Sequence, residues 1–348
     1  MSNKTPLTLQ LNTILSELPE FVSTFIYSLS NNNTTLTKLE YSRDIKFFLE
    51  FLSNFTYEYA DKPIKDFTLS DMDLVPILLV NQYLTYIKGE KGKENERKAT
   101  TVKRRRASLS SMYNFFIRNE KLTRNPVRAT ESTKLPEKPV IYLTNEEQKK
   151  LLDVVRTGNN LEKKAKKQHS IYENRDIAMI ILMLDTGLRV SELLSSNIKD
   201  YDLEHCNVTV VRKGGDIKEV FYSDECKYYL NIYFETQIAK YGIKNGDFPA
   251  FTTTKGNRLT VRAVEMLIKK YAFAALPPSL AGNISPHKLR SSFAMSFYRA
   301  TNNNILLLQK KLNHKNITTT NIYAKADKKE LEESRNVMQN LREQNANL

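Results

Sequence analysis

His287-Lys288-Leu289-Arg290 and, further on, Leu312-Asn313-His314 through Thr318-Thr319-Thr320-Asn321-Ile322-Tyr323 are the stretches on which the reading of this chain turns. They hold two of its four histidines, an arginine and a phenol. His287 and Arg290, three apart after Pro286, share one face at the start of a helix. Upstream, Thr186-Gly187-Leu188-Arg189-Val190-Ser191-Glu192-Leu193 adds a second arginine behind a glycine turn. Guanidinium forks match phosphate oxygens in bidentate fashion and stay charged at any working pH. A tyrosine can carry a covalent intermediate. No metal-ligand spacing accompanies these groups, so the set reads as cationic donors plus a nucleophile for phosphodiester chemistry, with no metal and no other cofactor expected.

Working outward, the 348 residues are enough for two domains, and 41% hydrophobic content is enough to build a core in each. Lys+Arg outnumber Asp+Glu 53 to 39, a net charge of +14 that favours a polyanionic partner such as nucleic acid. Charge alone does not separate that reading from a merely basic soluble protein. Cys206 and Cys226 lack metal-type spacing and read as reduced thiols. Met1 to Leu15 shows no secretory pattern, and the longest apolar run, Ile177 to Leu184, is too short to span a bilayer. A cytoplasmic protein with no membrane partner is expected.

Periodicity divides the chain near residue 130. Leu36, Leu39, Ile45, Phe48, Leu49, Leu52 and Phe55 recur at helical spacing between Thr34 and Phe55, and a second helix is expected around Val75 to Ile87. A third opens at Thr100 with the run Lys103-Arg104-Arg105-Arg106 and continues with an apolar face of Leu109, Met112, Tyr113, Phe116 and Ile117. Four consecutive cations on such a helix read as a DNA-phosphate surface, against the plainer reading of a solvated charge run. Asn125-Pro126 closes this part, and Leu135-Pro136-Glu137-Lys138-Pro139 is stiff and extended. Thr144-Asn145-Glu146-Glu147 forms a capping box, and helices are expected at about Asn145–Arg156, Arg175–Asp185 and Val190–Ser195. The lysine-rich Leu161 to His169 reads as an exposed loop. Cys206–Arg212, the turn Lys213-Gly214-Gly215-Asp216 and Ile217–Tyr222 make a β-hairpin. Further helices are expected around Glu225–Lys240, Thr260–Phe273, Lys288–Thr301 and Leu306–Leu312, with a helical pattern in the tail.

These motifs, in this order, resemble the tyrosine recombinases of the phage-integrase and Xer type. The resemblance covers about Thr34 to Tyr323. In the C-terminal half it rests on three separate motifs, and in the N-terminal half on the helical pattern ending at Asn125-Pro126. It implies a mainly α fold with a small β-sheet or hairpin in the catalytic domain, arranged as a two-domain C-shaped clamp. The implied divisions are a SAM-like helical core-DNA-binding bundle over 15–128, a linker over 129–140, the catalytic domain over 141–330 and a protomer-docking tail over 331–348.

Carried over by position, Tyr323 would attack the scissile phosphorus to give a 3′-phosphotyrosyl link. Arg189 and Arg290 would clamp the non-bridging oxygens, His287 would accept the proton and His314 would donate to the phosphate. Lys213 at the hairpin tip would protonate the leaving 5′ oxygen, with Lys218 in the returning strand as the alternative, and Glu192 would orient the site. The implied partners are double-stranded DNA with inverted half-sites and three further copies in a tetramer on two sites, with a paralogous recombinase or accessory protein as a further partner. Xer-type resolution and mobile-element integration or excision both use this chemistry. A type IB topoisomerase and a non-catalytic DNA-binding relative are the alternatives. The chain departs from the family pattern at Ser291, where a histidine is common, and at Asn313, where glycine is usual. Asparagine is the next best residue for a left-handed backbone.

Overall fold

The computed structural model describes residues 6–29, 34–89, 99–130, 139–212, 215–244, 246–314 and 316–327. The chain divides into two units, Met1–Glu137 and Lys138–Leu348, each with its own hydrophobic core.

In the first unit, α1 (Leu7–Ser16) and α2 (Glu20–Ser28) each follow a proline whose fixed φ suits a helix start. For α3 (Thr35–Phe55), the Thr34 hydroxyl accepts from Thr37 N–H at 3.2 Å. Its inward stripe of Leu39, Ile45, Phe48, Leu49 and Leu52 is at most 1% exposed. α4 (Leu69–Leu74) opens with a capping box between Thr68 and Asp71, and α5 (Ile77–Lys88) follows Pro76. α6 (Ala99–Arg118) buries Val102, Leu109, Met112, Tyr113 and Phe116 against this core. Leu11 and Leu15 of α1 and Phe25 of α2 join the same cluster, so this unit starts well before Thr34. The helices α1 and α2 lack a side-chain N-cap, so a proline alone marks where each begins.

In the second unit, α7 (Asn145–Thr157) has the expected capping box, with Glu147 Oε2 accepting from Thr144 N–H at 2.8 Å. α8 (Lys163–Thr186) is the hub. Its run Ile177 to Leu184 is at most 8% exposed, because α7 and three later helices pack around it. Those are α10 (Asp224–Tyr241), α11 (Val261–Ala275) and α13 (Pro286–Ala300). Of the stretch Leu161 to His169, expected as a loop, Lys163 to His169 instead supplies the first turns of α8. Lysine, glutamine and alanine are good helix formers and no Gly or Pro interrupts them. His169 then turns inward, its Nε2 2.8 Å from Val155 O.

Between α9 (Val190–Ser195) and α10 lies a three-stranded antiparallel sheet in the order β1 (Tyr201–Asp202), β2 (Asn207–Val211), β3 (Ile217–Phe221). Val211 pairs with Ile217 and Asn207 with Phe221. Strand β1 is two residues long, too short for a periodicity signal. α12 (Pro278–Ala281), α14 (Ile305–Leu312) and α15 (Thr318–Ala326) complete the unit. Phe293, Tyr298, Leu308, Leu312 and Tyr323 form a small cluster of their own between α13, α14 and α15. Among the described residues no helix is long and apolar enough to cross a membrane. Lys213 at the hairpin tip, the linker residues 131–138 and the tail after 327 lie outside the described residues.

Candidate active site

The site begins where α8 stops. Gly187 takes a left-handed backbone (φ 62°) and its N–H donates to Met183 O at 3.0 Å. A Cβ there would stand 2.3 Å from Phe293 Cδ1, so only glycine lets this turn lie against α13. The turn aims Arg189 at the start of α9. Glu192, 6% exposed, accepts from Arg189 N–H at 2.9 Å and from Arg189 Nη1 at 2.7 Å. One carboxylate thus fixes both backbone and guanidinium, while 45% exposure leaves the rest of the Arg189 side chain facing solvent.

Arg290 is the buried counterpart, 5% exposed. Its Nη1 donates to Gly187 O, and its Nη2 donates to Leu312 O at 2.7 Å and lies 3.3 Å from His314 Nε2. One guanidinium therefore ties together the end of α8, the start of α13 and the end of α14. Burial, then the neighbouring Arg189 charge, pulls its pKa down to about 10, against the opposing pull of Glu192 and Tyr323.

His314 follows Asn313, which adopts the left-handed conformation (φ 50°, ψ 50°) that ends α14. Gln309 holds the turn from both sides. Its carbonyl accepts from His314 N–H at 3.1 Å and its amide donates to His314 O at 3.0 Å. A guanidinium can only donate, so the ring nitrogen facing Arg290 carries the lone pair. Nδ1 then bears the proton and donates to Thr320 Oγ1, 3.0 Å away. Burial, followed by the charges of Arg290, Arg189 and His287, depresses the His314 pKa to about 4, so the ring is neutral at pH 7. His287, exposed on the first turn of α13, is also held below its ordinary value, by partial desolvation first and then by Lys288, Arg290 and Arg189.

Tyr323 sits on α15, 2% exposed, against Phe293, Leu308 and Leu312. It lies within electrostatic reach of Arg290 in its own chain. Tyr271 and Tyr298 are core side chains, at 0% and 2% exposure. The structure thus brings Arg189, Glu192, His287, Arg290, His314 and Tyr323 into one neighbourhood. Lys218 is exposed on β3, 3.7 Å from Asp216.

Sequence reasoning gave no role to Thr320, 0% exposed, or to Arg212, 8% exposed at the end of β2. The triple-threonine stretch was visible, but nothing local marks which hydroxyl meets His314. The basic run on α6 is largely committed within its own unit. Arg104 Nη1 lies 2.5 Å from Asp44 Oδ2 and 3.3 Å from Glu40 Oε2. Arg105 stacks over Phe47, 3.8 Å from the ring centre. Arg106 donates to Thr130 Oγ1 at 2.9 Å, Thr130 O at 2.9 Å and Val127 O at 3.0 Å. Lys103 alone of the four is exposed.

Residues 142–330 match the sequence model of the phage integrase family. The tyrosine recombinase XerC of Caldanaerobacter subterraneus subsp. tengcongensis is 32% identical, over 92% of this chain and 85% of the relative. The tyrosine recombinase XerS of Streptococcus thermophilus is 26% identical, over 88% of this chain and 92% of the relative. Among solved structures, XerH site-specific recombinase bound to palindromic difH substrate matches with a TM-score of 0.65 at 18% identity, covering 94% of this chain and 96% of that one. The Tn1549 transposon integrase in complex with a circular intermediate DNA matches with a TM-score of 0.62 at 21% identity, covering 87% of this chain and 93% of that one.

Proposed function

The chain belongs to the phage integrase family and is a site-specific DNA recombinase, and on that premise we propose the following roles for its residues. Tyr323 Oη attacks the scissile phosphorus, forming a phosphotyrosyl bond to the 3′ side as the bond to the 5′ oxygen breaks. The phenolic proton passes to His287, whose lowered pKa keeps it neutral and able to accept. Arg189 and Arg290 hold the non-bridging oxygens, where negative charge concentrates in the transition state. When the phosphate takes up the Arg290 fork, His314 Nε2 meets an acceptor in place of a donor. Its proton then belongs on Nε2, and the Thr320 hydroxyl turns to donate to Nδ1. A lysine of the hairpin, Lys213 or Lys218, protonates the leaving 5′ oxygen. Attack by a second strand's 5′-hydroxyl reverses the step, regenerates Tyr323 and leads through a Holliday junction.

The observation that carries this reading is the buried Arg290, whose fork bonds Gly187 O and Leu312 O and so gathers Arg189, His314 and Tyr323 around one guanidinium. The larger assembly is part of the proposal. Residues 15–128 hold duplex DNA with inverted half-sites, with Lys103 the exposed member of its run, and 129–140 link them to the catalytic residues 141–330. The segment 331–348 docks on a neighbouring copy, giving a tetramer on two sites. The likeness to proteins named XerC and XerS supports an Xer-type role over mobile-element integration.

The test is covalent trapping on nicked duplex DNA. The wild-type chain should form a protein–DNA adduct that survives denaturation, and Tyr323→Phe should form none. An adduct retained by the variant would place the nucleophile elsewhere.

A further inference from the structure

Arg212 has no task in the chemistry above. It directly follows β2, where its N–H donates to Asp216 O at 2.8 Å and its carbonyl accepts from Gly215 N–H at 3.0 Å, so the hairpin fixes its backbone. The side chain folds inward. It is 8% exposed, and its Nε, fully covered, has no hydrogen-bond partner among the described residues. An arginine stays charged at any working pH, and a covered charge with an unmet donor is unfavourable unless something pairs with it. Its surroundings add to the cost. The Arg212 charge reaches Arg290 and Lys311, both cationic, and opposes the charge on each. The carboxylates that reach those two groups are already engaged. Glu192 accepts from Arg189, and Asp185 accepts from the N–H and hydroxyl of Ser223. A covered guanidinium within electrostatic reach of two other cations, with a donor unmet among the described residues, has the makings of an anion site that is complete only with ligand present.

We propose that Arg212 and Lys311 form a second phosphate subsite beside the Arg189–Arg290 pair, which takes a backbone phosphate of the DNA substrate. The elements support it. Lys311 adjoins Leu312, whose carbonyl anchors Arg290, so the two subsites share the end of α14. Arg212 offers a planar fork and Lys311 a point charge, a pairing suited to one tetrahedral anion. Arg212 is a positioning residue here. By gripping the backbone it sets where the scissile phosphate lies relative to Tyr323. The inference rests on the recombinase reading.

The experiment uses the full-length chain and a nicked duplex that the wild type traps covalently, with single phosphates near the cleavage position replaced in turn by uncharged methylphosphonate. Arg212→Gln should bind the unmodified duplex about tenfold more weakly and lower the salt dependence of binding by roughly one phosphate contact. Its defect should vanish on one substrate, the one whose neutral position is the phosphate that Arg212 holds. That position should neighbour the scissile phosphate, and a defect that vanishes only at the scissile position would overturn a second subsite. Arg212→Lys, which keeps charge but loses the fork, should fall between the two. Lys311→Gln gives an independent arm should the arginine variant fail to fold, and it must lose its defect at the same position. A defect of equal size on every substrate, or no defect in a folded variant, overturns the subsite. Failure of the wild type to form any Tyr323-dependent adduct would instead overturn the recombinase reading itself.

Discussion

Replacing Gly187 by alanine separates backbone strain from steric displacement at the active site, because a second glycine provides the control. Gly187 and Gly242 both end helices with left-handed backbones, at φ 62° and 60°. A Cβ on Gly242 meets nothing within 4 Å, whereas one on Gly187 falls 2.3 Å from Phe293 Cδ1. Alanine in that conformation costs about 1–2 kcal/mol at either position. At Gly187 the buried Phe293 ring must also move, an overpacking cost of about 1–3 kcal/mol. The catalytic unit is of a size for which 1 kcal/mol shifts Tm by about 2–4 °C, so Gly242→Ala should lower Tm by roughly 2–8 °C and Gly187→Ala, at about 2–5 kcal/mol in all, by roughly 4–20 °C, the larger shift of the two. Phe293 lies three residues after Arg290 on α13, and Arg290 bonds the Gly187 carbonyl itself. Gly187→Ala should therefore abolish adduct formation even at temperatures where it is folded, while Gly242→Ala should retain it. Thermal unfolding by circular dichroism and the nicked-duplex assay read both effects. Equal Tm shifts for the two variants, with adduct formation intact in both, would refute the idea that this turn positions Arg290.

Two further expectations concern charge. Arg106→Ala should destabilise the N-terminal unit by about 2–3 kcal/mol, since it strips bonds from the Thr130 hydroxyl and the Thr130 and Val127 carbonyls, whereas Lys103→Ala should leave stability unchanged and weaken DNA binding. Denaturant titration and binding at fixed salt would show it, and the reverse pattern would reassign the two residues. The pH dependence follows from His314, whose folded pKa of about 4 lies below the 6.5 of an unconstrained histidine. As pH falls, the unfolded chain takes up this proton first, so the contribution is fully present above about 6.5, declines towards about 4 and levels off below. The fall in Tm between pH 7 and pH 4.5 should thus be smaller in His314→Asn than in the wild type, and an equal fall would remove the premise of a neutral His314.

The legible parts of this protein were those written in neighbouring residues. The capping box at Thr144 and Glu147, the helix start at Pro286, the left-handed stop at Asn313 and the hairpin around Gly215 all depend on torsions and hydrogen bonds spanning a few residues. The order of the three motifs was enough to identify the family. What the sequence hid was how each charge is used. Leu161 to His169 looked like a solvated loop because lysines mark exposure, and exposure does not distinguish a helix from a loop. The partners that Arg104 and Arg106 find in Asp44 and Thr130 were not legible, because those residues lie far from them in sequence. The choice of Thr320 to orient His314, and the covering of Arg212 beside Arg290, likewise arise only when separate elements pack together. Local patterns state which groups are present and how each short segment bends. Which charge meets which is decided by the packing of helices distant in the chain, since burial removes the water that would otherwise satisfy each group alone.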